Sequence, residues 1–297
     1  MELMIGLERR IDLHATLGPL RRGGADPTIR FEPDGVWRAT RTRDGPAAQH
    51  IVAERGPIRV EAWGPGAAWA LEHAPALIGR LDDPGMFEPH HPLLRELHGR
   101  FPGLRLGRSN AVVEALVPSI LGQKVPDAEA HRSYVRLVRA LGEPAPGPAG
   151  LLLPPGPEAL AALPYHAYHP FDVERRRAET IRAACSRATR MEEAASMSPA
   201  DAERRLRAIP GIGAWTAAEV RRVALGDPDA VSVGDYHLPN LVSWALAGEP
   251  RGDDERMLEL LEPYRGQRGR VQRLLELSGM RAPRYGPRTP LRSIASI

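Results

Sequence analysis

Leu206-Arg207-Ala208-Ile209-Pro210-Gly211-Ile212-Gly213-Ala214-Trp215-Thr216-Ala217 is the stretch that decides how this chain is read. A helix ending near Ala208 meets Pro210, which lacks the N–H that a continuing helix needs. Gly211 and Gly213 allow backbone angles closed to other residues and let a foreign backbone approach closely. A second helix then begins near Ala214, with its first N–H groups and the positive end of its dipole facing outward. The element is a helical hairpin whose turn suits an anion such as a nucleic-acid phosphate, without sequence readout. The same spacing also suits an ordinary corner between two helices, with glycines chosen for packing.

Outward from the hairpin the chain divides in two. Val36–Arg43 and Pro57–Trp63 alternate like half-exposed strands between the turn signals Pro33-Asp34-Gly35, Asp44-Gly45-Pro46 and Gly64-Pro65-Gly66, and a helix is predicted over Ala67–Leu77. From Asn110 the period becomes helical. Val113, Leu116, Val117, Ile120 and Leu121 share one face behind Asn110 as the expected N-cap. Further helices are predicted over 128–141, 173–188, 199–208, 215–225, 238–247, 253–261 and 269–277. The expected class is α+β: an N-terminal antiparallel-sheet domain over 1–92, then an all-α region over 93–280 in two lobes with the hairpin at 206–225. Residues 281–297 carry arginines at 281, 284, 288 and 292 and no acid, and are expected to form a basic, disordered tail.

Composition limits the chemistry. The 297 residues carry a net charge of +3 and one cysteine, Cys185, which excludes an internal disulfide and any four-cysteine metal or iron–sulfur site. No apolar run reaches the roughly 20 residues of a membrane span, and Met1–Gly6 does not read as a secretory signal. The expected setting is the cytoplasm, with the nucleoid as workplace, and the expected state is a monomer. Lys124 is the lone lysine among 40 cationic Lys and Arg residues. It is therefore the single candidate for side-chain amine chemistry. His166 and His169 have a spacing metals use, yet no third ligand stands nearby in the sequence.

The hairpin stretch resembles that of the helix-hairpin-helix DNA glycosylases, and most closely that of the bacterial 3-methyladenine (alkylbase) enzymes. Phe101–Leu106 followed by Val113–Gln123 resembles the first core helix of the same family, and the likeness runs over about residues 30–280. The resemblance implies a duplex-DNA partner carrying a damaged base, flipped out of the stack. It implies a catalytic carboxylate at Asp235, where a short loop follows the second hairpin helix. Such a carboxylate stabilises positive charge on the sugar and orients or deprotonates water. By its position alone, Asp235 equally caps the next helix.

The strand-cutting relatives carry a Schiff-base lysine where Trp215 stands here, so the resemblance implies a monofunctional enzyme. Trp215, Tyr236 and Glu219 are assigned to the base pocket. Glu219 departs from the family's aromatic residue at that position, which opens deaminated bases such as hypoxanthine beside alkylated ones. Gln123 and Lys124 are assigned to the gap left by the flipped base, although a lysine departs from the family's bulky wedge and also reads as an exposed loop residue. Gly211, Ile212, Gly213, Ala214 and Thr216, with Arg265, Arg268 and Arg270, are assigned to the DNA backbone. No cofactor is required. The family's monovalent cation on hairpin carbonyls maps to Arg207, Ile209 and Ile212. The rival readings are a non-catalytic reader of distorted DNA and a scaffold that recruits repair partners.

Overall fold

A computed structural model describes the whole chain except residues 8, 54–55, 284–292 and 295–297. The tail expectation over 281–297 therefore lies largely outside the described residues. Within it, Ser293 Oγ and the Ile294 N–H donate to Asp172 Oδ1 at 2.6 and 2.9 Å.

Five strands form one antiparallel sheet in the order β1-β5-β4-β3-β2: β1 (Glu2–Ile5), β2 (Ile29–Phe31), β3 (Gly35–Thr42), β4 (Gly45–Ala53) and β5 (Ile58–Trp63). The turn at Asp44 closes the β3–β4 hairpin, with Thr42 opposite Gly45 and Val36 opposite Ile51. Along β5, Ile58, Val60 and Ala62 are buried while Arg59, Glu61 and Trp63 are more open, the period-two pattern of a sheet with one face covered. Helices α1 (Leu13–Leu17) and α2 (Ala67–Leu77) cover that face, Leu13, Leu17, Ala70, Leu71 and Ala74 joining Val36, Ile51 and Val60 in one core.

The rest is helical. In chain order it comprises α3 (Pro92–Arg100), α4 (Val112–Leu121), α5 (Asp127–Leu141), α6 (Pro157–Ala162), α7 (Arg175–Cys185), α8 (Ala188–Glu192), α9 (Pro199–Arg207), α10 (Ala214–Val220), α11 (Leu238–Ala247), α12 (Asp254–Leu261) and α13 (Arg268–Ser278). Two apolar cores divide them. One is built on α4–α10 around Leu116, Ile120, Leu137, Ile181 and Leu206. The other joins α3 to α11, α12 and α13 around Leu94, Val242, Leu261 and Leu274. The class is α+β, as expected. Phe87, inside the segment assigned to the sheet domain, belongs to the second helical core.

The start of α4 differs from expectation. Asn110 has φ +53° and its Oδ1 accepts Arg108 Nε, so it caps nothing. The free N–H groups of Val112 and Val113 instead donate to the Glu192 carboxylate at 2.8 and 2.9 Å. An acid about 80 residues away satisfies the helix end more fully than a short amide next to it.

Candidate active site

The hairpin forms as its sequence implies. Helix α9 starts under a Ser198 cap and ends at Ala208. Its turn closes with the Ile212 N–H on the Ile209 carbonyl at 3.1 Å. Gly213 is the N-cap of α10, at φ −95°, and no side chain caps that helix end. Gly211 has φ +91°, and a Cβ placed on it would fall 2.2 Å from Thr180 Oγ1, so glycine is required twice over. Nothing lies within 4 Å of the corresponding position on Gly213. Ile209 and Ile212 are buried beneath the turn, as is Thr216. Those assigned positions thus offer backbone, not side chains, to an outside partner.

Gln123 follows α4 and reaches the hairpin. Its Nε2 donates to the Gly211 carbonyl and to Thr216 Oγ1, both at 2.9 Å. Lys124 sits beside it with φ +57°, exposed and without a hydrogen bond or ion pair among the described residues. A side chain at positive φ costs of the order of 1–2 kcal/mol, so the loop holds Lys124 outward against a local preference.

Asp235 is half-buried in the loop before α11. Its Oδ1 accepts the N–H groups of His237 and Leu238 at 2.7 and 2.8 Å, and its Oδ2 accepts Trp215 Nε1 at 3.1 Å. Capping and site placement coexist, because one oxygen is given to the α11 terminus and the other to the hairpin's second helix. The indole of Trp215 also lies against Gly122, whose added Cβ would sit 3.2 Å from its ring edge. Trp215, Asp235 and the Gln123–Lys124 loop therefore form one continuous surface. Tyr236 stands 84% exposed at its rim, edge-on to the His237 ring.

Glu219 lies one turn beyond Trp215 on α10. Its Oε1 accepts Arg222 Nη1 at 2.8 Å and also the Ser232 hydroxyl. Arg222 reaches on to both oxygens of Glu276 at 2.7 and 2.8 Å, and Gln272 Nε2 donates to Ser232 Oγ and Glu276 Oε1 at 3.2 and 2.9 Å. Burial works to raise the Glu276 carboxyl, but Arg222 and Arg273 overcome it and hold the group below the ordinary glutamate range. Burial likewise opposes charge on Arg222, and Glu276 with Glu219 drives its pKa upward instead. The sequence reading found Glu219 alone. Arg222 lies three positions on, but Ser232, Gln272 and Glu276 lie 13 to 57 positions away, and no local pattern marks those three.

The arginines before the last helix divide. Arg265 is exposed and forked onto Glu262, and Arg268 is bound to Asp229, whose Oδ1 also accepts the Gly266 and Arg268 N–H groups at 2.8 and 3.1 Å. Arg270 is a correction. Its side chain is 1% exposed and paired with Asp82, with Nε on Gln267 Oε1 at 2.7 Å. It faces inward because Arg268 and Arg270 lie on different sides of α13, so it joins two parts of the fold and meets no outside phosphate. Asp227 and Asp229 lie in the turn that follows α10, and each binds an arginine. The assigned cation positions Arg207, Ile209 and Ile212 would offer only backbone carbonyls, and that of Ile209 already closes the turn. His166 and His169 join no group of three metal-type ligands among the described residues.

No protein-family model matches the chain. Over 150 residues, 50% of its length, it is 31% identical to a probable bifunctional transcriptional activator/DNA repair enzyme AlkA of Mycobacterium tuberculosis. The chain spans 30% of the length of that relative. A 3-methyladenine DNA glycosylase from Archaeoglobus fulgidus superposes with a TM-score of 0.75 at 20% identity, over 93% of this chain and 98% of that one. MBOgg1 in complex with a low-affinity DNA ligand gives 0.73 at 17% identity, over 94% and 96%. The 8-oxoguanine glycosylase/lyase of Clostridium acetobutylicum in complex with double-stranded DNA gives 0.69 at 11% identity, over 94% and 99%. The chain therefore has the fold of the helix-hairpin-helix DNA glycosylases, in agreement with the resemblance of its hairpin. No helix among the described residues is long and apolar enough to cross a membrane.

Proposed function

We propose that the protein is a monofunctional DNA glycosylase, acting as a monomer, that hydrolyses the N-glycosidic bond of a damaged base flipped out of duplex DNA. The observation that carries this reading is the double anchoring of Asp235 between Trp215 and the α11 terminus. Three donors hold the carboxylate in one direction. As the glycosidic bond stretches, positive charge builds on the sugar, and a fixed anion beside it stabilises that charge more than it stabilises the neutral ground state. The same carboxylate orients the attacking water and accepts its proton. The free base and an abasic site leave as products. The hairpin turn takes the DNA backbone through N–H groups, and Gln123 and Lys124 stand where the duplex must open. Monofunctional chemistry follows from Trp215, which has no nucleophilic amine, at the hairpin position where a lyase would need one. No cofactor takes part in these steps. A monovalent cation on the hairpin carbonyls would brace the turn only.

An alkylated base is the first substrate class, stacked on Trp215 and Tyr236. A second reading is favoured by one specific observation. Glu219, half-buried one turn beyond Trp215, is held by Arg222 and the Ser232 hydroxyl, and a hydrogen-bond group at that place suits the edge of a deaminated base such as hypoxanthine.

The test is base release from duplexes carrying alkylated purines, hypoxanthine or uracil, with Asp235→Asn alongside and borohydride present in a parallel set. Release by the wild type alone, with no trapped enzyme–DNA adduct, is expected. Binding without release across the panel would leave a non-catalytic damage reader, and a borohydride-trapped adduct through Lys124 would overturn the monofunctional assignment.

A further inference from the structure

The cations around the hairpin are mostly spent on their own neighbours. On α9, Arg204 pairs with Asp201, Arg205 with Glu193 and Arg207 with Glu203. On α7, Arg175 pairs with Glu179 at 2.7 Å and lies 4.8 Å over the Tyr165 ring, while Arg177 turns inward onto the Leu121 and Asp172 carbonyls. Arg176, between them, is exposed and makes no ion pair or side-chain hydrogen bond among the described residues.

Three contacts fix where Arg176 stands. Thr180, one turn along the same face of α7, presses on Gly211 at the hairpin turn, and its Oγ1 donates back to the Arg176 carbonyl at 2.9 Å. Arg177 Nη1 donates at 2.7 Å to the carbonyl of Leu121, two residues before Gln123. Gln123 closes the triangle by binding Gly211. The first turn of α7 is thus wedged between the hairpin and the loop that carries Lys124. That loop and this turn each bring one unpaired cation to the same rim.

Resting on the glycosylase reading, we infer that Arg176 and Lys124 form a cationic clamp for duplex DNA, with Arg176 taking a backbone phosphate adjoining the one at the hairpin turn. The partner chemistry is a phosphodiester, because an unpaired guanidinium on a rigid helix end supplies a charged, forked donor without reading a base. Arg176 is a binding residue and plays no part in bond breaking. Its contribution is independent of the lesion.

Removing one phosphate contact lowers the slope of log binding constant against log salt by about 0.9. The experiment measures that slope for the full chain on an undamaged duplex and on one with a stable abasic analogue. The variants are Arg176→Ala, Arg176→Lys and Arg139→Ala. Arg139 is an exposed arginine near the far end of α5, about 18 Å along that helix from Asp127, and serves as a charge-matched control. Arg176→Ala should lower the slope by about one and weaken both duplexes by the same several-fold factor, with the cost to base release appearing in KM. Arg176→Lys should restore the slope, and Arg139→Ala should leave it at the wild-type value. A wild-type slope in Arg176→Ala, or an equal drop in Arg139→Ala, would overturn the clamp. Wild type that neither binds duplex nor releases a base would instead overturn the glycosylase reading on which it rests.

Discussion

The indole Nε1 of Trp215 donates to Asp235 Oδ2 at 3.1 Å, across 20 residues and from the second hairpin helix to the loop before α11. The element proposed to grip DNA therefore also aims the carboxylate. Trp215→Phe deletes the donor and also shortens the ring that lies against Gly122. Hydrogen bonds to charged groups contribute about 1.5–3 kcal/mol. Base release should fall by about tenfold or more in kcat, with a stability loss of no more than about 3 kcal/mol. Unchanged single-turnover release would show that the contact does not orient Asp235.

Asp235→Asn separates the two duties of this residue. Asparagine caps helix ends about as well as aspartate, so the melting temperature should hold within a few degrees. It carries no charge to set against the sugar cation, and release should drop by at least a factor of about 100 while duplex binding persists. Collapse of the fold in this variant would mean that the cap dominates.

The two hairpin glycines should respond differently. Gly211→Ala places a Cβ 2.2 Å from Thr180 Oγ1 at φ +91°, and a loss of about 2–4 kcal/mol is expected in urea unfolding. Gly213→Ala meets nothing within 4 Å, so the fold should be unaffected while duplex binding weakens, because the new methyl stands on the approach face. Equal stability losses in the pair would contradict this account of the turn.

Lys124 sets stability against function. Lys124→Gly removes the strain of φ +57° and should hold or raise stability by up to about 1 kcal/mol, yet lower base-release efficiency. A variant that is both less stable and fully active would refute the assignment.

Glu192 predicts a pH effect. Burial pushes its carboxyl up to about 7, against the pull of the Val113 and Val112 N–H groups, and Glu114 adds repulsion. Because the folded value lies above the unfolded one, the folded state holds the extra proton between them. The stability it contributes is full below about pH 4.5 and is lost as pH rises through about 7, at up to about 1.4 kcal/mol per unit. Urea midpoints of wild type and Glu192→Gln at pH 5 and 7.5 isolate this slope from that of His98 and His131, whose depressed values act in the opposite direction. Parallel curves would show that Glu192 does not titrate in this window.

The hairpin, the β3 and β5 strands, and α2, α5 and α9 to α13 were legible because their signals are local: period, glycine, proline and cap. Strand β4 was not. Gly45-Pro46-Ala47-Ala48 lacks the branched residues of a strand, and only pairing with β3 and β5 makes it one. Asp235 was singled out through its distance from the hairpin, as the family resemblance implies. Glu192, Arg222, Gln272 and Glu276 escaped because their meaning is a partner far along the chain. Arg270 was misplaced for the same reason. In sequence it sits in a run of solvent-facing arginines, and only Asp82 reveals that it is buried.

One amide has a mechanical consequence. Gln123 divides its two donor hydrogens between the Gly211 carbonyl and Thr216 Oγ1, so the loop that carries Lys124 is lashed to the hairpin turn. On the proposed reading, the two would meet a duplex as a single rigid tooth and heel. Depth of entry would then be set from the backbone already held, and a nucleotide would be tested only at a fixed offset from that foothold.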